Sequence, residues 1–232
     1  MAHAANEGKA LAVEVDGKQY QRIPIKTHVV TVDDNLREVV SRYAAAEVQD
    51  GDILFITEKI VAITQGRSYP IDSITPRGLA TFLSKYVTKT SYGIGLGMPE
   101  TMEMALREVG VPRILLASAV AAVTKLFGRT GDFYRVAGWR ARGIDGPTSH
   151  TIPPYNSQVV LVPLRPRQVA AEAKKALGGK IQVAVVDIND LGGNILGSTL
   201  DAAGEARLVR ILSDNPLGQG HQSTPMGIIR AV

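Results

Sequence analysis

Residues 181–197 read IQVAVVDINDLGGNILG, and the reading of this stretch decides the fold. Ile181 to Val186 is an unbroken apolar, largely β-branched run, the pattern of a strand buried on both faces. Such a strand needs sheet neighbours and helical cover, which the rest of the chain must supply. Asp187, Asn189 and Asp190 follow at once, then Leu191-Gly192-Gly193. Asn, Asp and Gly form turns on their own account. The same oxygen-bearing side chains at the end of a buried strand also suit a hard cation. At this level both readings stay open.

Working outward, Pro166 opens a helix through Leu177, with Val169, Ala173, Ala176 and Leu177 inward and Gly178-Gly179 as its stop. Val159 to Leu164 before it reads as a core strand, so strand, helix and strand predict one crossover unit. A helix over Ala202–Leu212 and a short strand around Ile228 flank the polar segment DNPLGQGHQSTP, residues 214–225. Near the start, residues 1–10 read as frayed. Asp16-Gly17 between Leu11–Val15 and Lys18–Ile25 signals a two-residue hairpin. Pro24 cannot donate to a ladder, which predicts an edge or a strand exit. Asp33 or Asp34 is expected to cap a helix whose inward face is Leu36, Val39, Val40 and Tyr43. Ile53–Ile56 is a strand running straight into Thr57–Val61.

The middle of the chain reads as helical. Arg77–Thr88 is one candidate. Residues 91–99, SYGIGLGMP, feed another, with Glu100 and Glu103 at its positive end and Met102, Ala105, Leu106 and Val109 inward. Those alternating glycines lack dinucleotide or Walker spacing, so close backbone packing explains them better than phosphate binding. Ile114–Val123 is apolar and alanine-rich and reads as buried. A domain boundary is placed in the loop from Gly66 to Pro76. It separates an N-terminal lobe, 1–70, from a C-terminal one, 71–232, unless the two form one intertwined unit.

Composition narrows the function. Of 232 residues, 45% are hydrophobic and 21% charged, which are globular values. Cysteine is absent, which excludes disulfides, thiolate metal sites and cysteine nucleophiles and makes a cytoplasmic home the default. No apolar run approaches the roughly 18 residues of a membrane span, and the first residues show no secretory-type apolar core. The net charge is +4. Its excess gathers at Arg129, Arg135, Arg140, Arg142, Arg165, Arg167, Lys174, Lys175 and Lys180. With only 5% aromatics and no basic–aromatic interleaving, this favours a small anionic ligand over nucleic acid.

Four polar clusters are candidates for chemistry. Asp145 lies in a Gly-Ile-Asp-Gly loop preceded by Arg140 and Arg142. Asp187, Asn189 and Asp190 form the second cluster. Two separated carboxylate clusters, with no Cys and only four His, fit magnesium or manganese rather than zinc or iron. Thr57-Glu58-Lys59 at a strand end offers a lysine that can meet phosphate as a point charge. The fourth is the 214–224 segment with His221 and Gln222. No serine elbow or HExxH spacing occurs.

The order Ile23-Pro24-Ile25-Lys26, then GDILFITEKIVAITQGR (51–67), RARGIDGPT (140–148), VVLVPLRP (159–166) and VAVVDINDLG (183–192) resembles the coenzyme F-420-0 gamma-glutamyl ligase family. Residues 91–106, 143–156 and 214–230 resemble a bacterial branch of it. Members couple GTP hydrolysis to joining glutamate, through its amine, to a carboxylate of the deazaflavin coenzyme. The resemblance implies an α+β fold of mixed sheets with flanking helices, in two lobes, assembled as an intertwined homodimer. It implies that Asp145 and Asp187 hold magnesium or manganese, with Asn189 or Asp190 adding a ligand. Ile23, Pro24, Ile25, Lys26, Thr57, Glu58, Lys59 and Thr148 would line the site for a nucleoside triphosphate, GTP or alternatively ATP. Arg140 and Arg142 would face the anionic substrate, and glutamate would be the second substrate. The chain departs from the pattern at Ile63, where the family has a second lysine, at Pro147-Thr148, where it has Asn, and at 191–197, which replace an Arg-rich segment. The alternative these departures suggest is a non-catalytic nucleotide- or anion-binding, regulatory homologue.

Overall fold

The computed structural model describes residues 3–87, 95–149, 151–189, 192–218 and 220–232. The chain divides into two compact units, one built from 1–66 and 163–232, the other from 67–162. Residues 163–232 group with 1–66 and not with 67–162. The reason is strand pairing, because the sheet of the first unit is completed only by strands after residue 163.

That sheet holds β1 (Ala12–Val15), β2 (Lys18–Ile25), β3 (Ile53–Thr57), β6 (Gln182–Asn189), β7 (Gly192–Ser198) and β8 (Met226–Ala231), in the order β1-β2-β8-β3-β6-β7. Only β3 and β6 pair in parallel. The β1–β2 hairpin turns at Asp16 and Gly17, both at positive φ (54° and 71°), the geometry of the two-residue turn read from the sequence. Pro24 sits at the strand exit, the penultimate residue of β2. Backbone groups alternate sides along a strand, and Arg22 N–H points to β1, donating to Leu11 O at 2.7 Å. The missing donor of Pro24 therefore faces the same side, just past Ala12↔Gln21, where the pairing with β1 ends.

Alternation also sorts the two faces. Ile23, Ile25, Leu54, Ile56, Val183, Val185, Met226 and Ile228 pack beneath α1 (Leu36–Ala44), α2 (Glu58–Thr64) and α8 (Pro166–Leu177). Tyr20, Phe55, Ala184, Val186 and Ile229 meet α9 (Ala202–Ile211) on the other face. Covered on both faces, β6 needs its continuous apolar run. The cap of α1 is Asn35, which accepts from Arg37 N–H at 2.9 Å. Asp34 is engaged one turn earlier, accepting from Thr31 N–H at 2.7 Å. That hydrogen bond, aided by His28, holds its carboxyl below the ordinary range.

The second unit is mainly helical: α3 (Gly78–Ser84), α4 (Pro99–Val109), α5 (Val111–Leu126), α6 (Asp132–Ala137) and α7 (Trp139–Arg142). A two-stranded ribbon of β4 (Ser68–Pro70) and β5 (Gln158–Val160) joins them. The predicted crossover from 159 through α8 to β6 is therefore corrected, since β5 pairs with β4 and not in the larger sheet. Glu103 is corrected too. It does not serve the positive end of α4 but lies buried, accepting from Arg77 Nε and Nη2 and from Arg107 Nε. Burial pushes its carboxyl up, but those hydrogen bonds outweigh it and hold the pKa low. Nor is 114–123 buried: in α5 only Ile114 and Ala117 are.

Among the described residues no single helix is long and apolar enough to cross a membrane. α4 and α5 pass that test only as a pair bent by 118°, and Thr101–Leu106 of α4 are buried within the unit.

Candidate functional site

The parallel register of β3 and β6 builds the site. Thr57 stands opposite Val186, so the point where β3 becomes α2 is level with Asp187. β8 runs antiparallel between β3 and β2, with Met226 opposite both Ile56 and Ile25. The carboxyl ends of β2, β3 and β6 therefore emerge at one end of the sheet, where open α/β sheets place ligands. The lead-in to β8 is stitched to that end. Pro225 O accepts from both Thr57 N–H (3.0 Å) and Thr57 Oγ1 (2.9 Å). Ser223 O accepts from Thr27 N–H at 2.9 Å, and Ser223 Oγ donates to Thr27 O at 3.1 Å. From Lys26 to Asp187 the row spans three strand spacings, about 14 Å, a length suited to a nucleotide's phosphates and sugar.

Asp187 and Asn189 are strand residues, opposite Asn194 and Gly192. The turn reading does not hold for Asp187 and Asn189, and Asp190 lies outside the described residues. Both side chains continue the face of Val183 and Val185. They come where helical cover ends: α8 begins against Gly197, the partner of Val185, and an added Cβ there would stand 2.2 Å from Arg167 N. The strand turns polar where it outruns its helix. Asp187 and Asn189 offer a carboxylate and an amide oxygen on one face, a donor set that fits magnesium or manganese. Among the described residues no group of three or more His, Cys, Asp and Glu gathers as a metal cluster, so protein ligands are few.

The same strand ends bring Lys26, Thr57, Glu58 and Lys59 into the row. Ile23 and Ile25 behave differently. Both side chains are buried in the core, so only their backbone can serve a ligand. Ile63 is buried as well, which makes it part of the core of α2. Asp145, Thr148, Arg140 and Arg142 belong to the second unit. There Asp145 exchanges two backbone hydrogen bonds with Val160, both 2.9 Å. Arg140 Nη1 is 3.6 Å from Glu108, which also takes Arg67 at 2.8 Å. Arg129 and Arg135 both pair with Asp132. Arg129, Arg135 and Arg140 are thus answered locally by acids of their own unit.

Over 24–199 the sequence matches the family model described as F420-0:Gamma-glutamyl ligase. The chain belongs to this family. A search of curated proteins gave no match. The matched region of this gamma-glutamyl ligase family contains Pro24–Lys26, Thr57–Lys59, Asp145 and Asp187, but neither residues 3–23 nor 200–232. Sequence reasoning marks the 214–224 segment as polar without placing it, and misses Thr27 altogether. Nothing short of the β2–β8–β3 pairing brings Ser223, Thr224 and Thr27 beside Thr57.

A groove of about 510 Å³ lies elsewhere, lined by Asp33–Arg37, Thr64, Gln65, Val169, Glu172 and Ala173. It shares none of the strand-end residues. Beside it His28 is held through both ring nitrogens, to Tyr43 Oη (2.8 Å) and Asp34 Oδ1 (2.9 Å).

Proposed function

We propose that the chain is a metal- and nucleotide-dependent amide ligase of gamma-glutamyl type, acting on a small anionic carboxylate. One observation supports this most: in a member of this ligase family, the β3–β6 register sets Thr57–Lys59 level with Asp187 and Asn189 at one sheet end. In the proposed reaction a carboxylate oxygen of the acceptor attacks the γ-phosphorus, and the bond from γ-phosphorus to the bridging oxygen breaks, releasing nucleoside diphosphate. The amine of glutamate then attacks the acyl carbon, phosphate leaves, and the nitrogen gives up a proton as the amide forms. A bound magnesium or manganese ion would supply charge neutralisation around the transferring phosphoryl group. Asp187 and Asn189 would hold it, with remaining positions filled by phosphate oxygens and water, as is usual for magnesium. Lys59 contributes a point charge toward phosphate, and Lys26 and Thr57 position the nucleotide. For Asp145, Thr148, Arg140 and Arg142 the family resemblance supports the metal, nucleotide and substrate roles.

The test is turnover. With magnesium, GTP or ATP, glutamate and F420-0 as first acceptor, nucleoside diphosphate should appear only when both glutamate and acceptor are present. Nucleotide binding without turnover, over a range of carboxylate acceptors, would make the chain a binding homologue instead.

We also propose a homodimer formed through α5. Its residues Leu115 (43% exposed), Leu116 (58%), Val123 (56%) and Leu126 (84%), with Phe127 (78%) just beyond, leave an apolar helix uncovered. Leu115, Ala119, Ala122 and Leu126 recur at spacings of 4, 3 and 4, the seam of a two-helix packing. The seam is palindromic. Antiparallel pairing across a two-fold sets Leu115 against the partner subunit's Leu126 and Ala119 against the partner's Ala122, as an isologous interface requires. Leu115→Glu with Leu126→Glu should halve the mass measured by light scattering while far-ultraviolet circular dichroism is unchanged. A wild-type chain monomeric at tens of micromolar would end this proposal.

A further inference from the structure

The amino-terminal segment is not frayed. Asn6 Nδ2 donates to Leu217 O at 2.8 Å and to Thr224 Oγ1 at 2.7 Å, using both of its protons. Lys9 Nζ donates to Asp214 O at 2.8 Å. Arg22, fully buried on the α9 face of β2, ties the same pieces together from below. Its guanidinium donates to Ala10 O (2.8 Å), to Ile211 O (3.2 Å) and to the Asp214 carboxylate. Apart from the Ala10 contact, each of these bonds joins residues 6–22 to the 211–224 stretch, about 200 positions later in the chain.

That stretch needs holding. Asn215 and Ser223 have positive φ (51° and 55°) and neither is glycine, a conformation that persists only when its surroundings enforce it. Its far end, Ser223 to Pro225, carries the carbonyls that accept from Thr27 and Thr57. A continuous line of contacts therefore runs from Asn6 through Thr224 to the strand ends of the candidate site. Both ends of the clamp lie outside the region matched by the family model, 24–199.

We infer that residues 3–11, with Asn6 as the central positioning residue, clamp the 214–225 loop and thereby set the geometry of the nucleotide-binding strand ends. Asn6 touches no reacting atom. It acts through Thr224 and the Leu217 carbonyl, and its loss frees the loop without emptying the core. The inference rests on the proposed nucleotide site for its effect on binding, but not for its effect on the loop.

The experiment compares wild type with Asn6→Ala, the near-isosteric Thr224→Val, and the double variant in the full chain. Two readouts are taken: hydrogen exchange at the Thr27 and Thr57 amides, and calorimetric titration with magnesium-GTP and magnesium-ATP. Each single variant should speed exchange at Thr27 and Thr57 at least fivefold while Leu54 and Val185 amides stay unchanged. Each should also weaken nucleotide, Asn6→Ala about tenfold and Thr224→Val by no more, and the double variant should do no more than Asn6→Ala alone, because the contact that Thr224→Val removes is already gone with Asn6. Exchange unchanged at Thr27 and Thr57, or additive effects in the double variant, overturns the clamp. If wild type binds no nucleotide, the ligase reading fails, and exchange alone still decides whether Asn6 holds the loop. Should Asn6→Ala fail to fold, Thr224→Val, which removes only the acceptor, carries the same test.

Discussion

Replacing Asp187 with alanine should abolish calorimetrically detectable binding of nucleotide with magnesium while leaving the fold intact. The two halves of that expectation have different physical sources. Asp187 stands past the end of helical cover, on the polar extension of β6 beyond Val185. Truncating it opens no core cavity and should change stability by no more than about 1 kcal/mol. A carboxylate that merely supports a ligand to a metal is worth roughly 10–100-fold in affinity, so loss of the ligand itself should exceed that range. Asn189→Ala, which removes a neutral donor, should cost less than Asp187→Ala. Lys59→Ala should weaken nucleotide with or without metal, because in the proposed site its point charge would meet phosphate directly. Asp145→Asn tests the acid of the second unit separately. Undiminished binding by Asp187→Ala would remove the central residue from the proposed site, whatever the other variants do.

Much of the fold that carries the candidate site is legible in the residues themselves, and the parts that are not are hidden for identifiable reasons. The apolar run 181–186 announces a strand covered on both faces, and it is one. The Asp16-Gly17 hairpin, the end of β3 at Thr57 and the start of α8 at Pro166 are equally legible, because each depends on neighbours in sequence. What fails depends on partners far away. Glu103 looks like a helix-end residue by its place in the first turns of α4, but the decisive fact is Arg77 arriving from the start of α3. The 114–123 run looks buried because apolar residues usually are, yet in α5 only Ile114 and Ala117 are covered. The amino-terminal ten residues look featureless because an Asn and a Lys carry no local pattern. Their partners at 214–224 come from the other end of the chain.

Gly197→Ala should destabilise the first unit more than any other single methyl added at a described glycine of this sheet. The residue sits in β7 opposite Val185, beside the register shift between Val185 and Val186. A Cβ built there would stand 2.2 Å from Arg167 N and 2.6 Å from both Arg167 Cα and Pro166 C. These are backbone atoms of the first turn of α8, so no rotamer change relieves the clash. Either the helix start unwinds or the helix lifts from β6 and β7. Overpacking of a core costs about 1–3 kcal/mol and occasionally more, and a clash with fixed backbone belongs at the upper end. Gly193→Ala is the control in the same strand: its Cβ would meet nothing nearer than 3.6 Å, ordinary van der Waals contact, so the loss should be smaller. Because α8 starts one residue pair short of Asp187, Gly197→Ala should also weaken nucleotide binding in the fraction that folds. Urea unfolding followed by far-ultraviolet circular dichroism, with hydrogen exchange at Val183 and Val185, reads the effect. A midpoint equal to wild type would mean that α8 does not rest on β7 as closely as this packing requires, and the reason given for where β6 turns polar would fall with it.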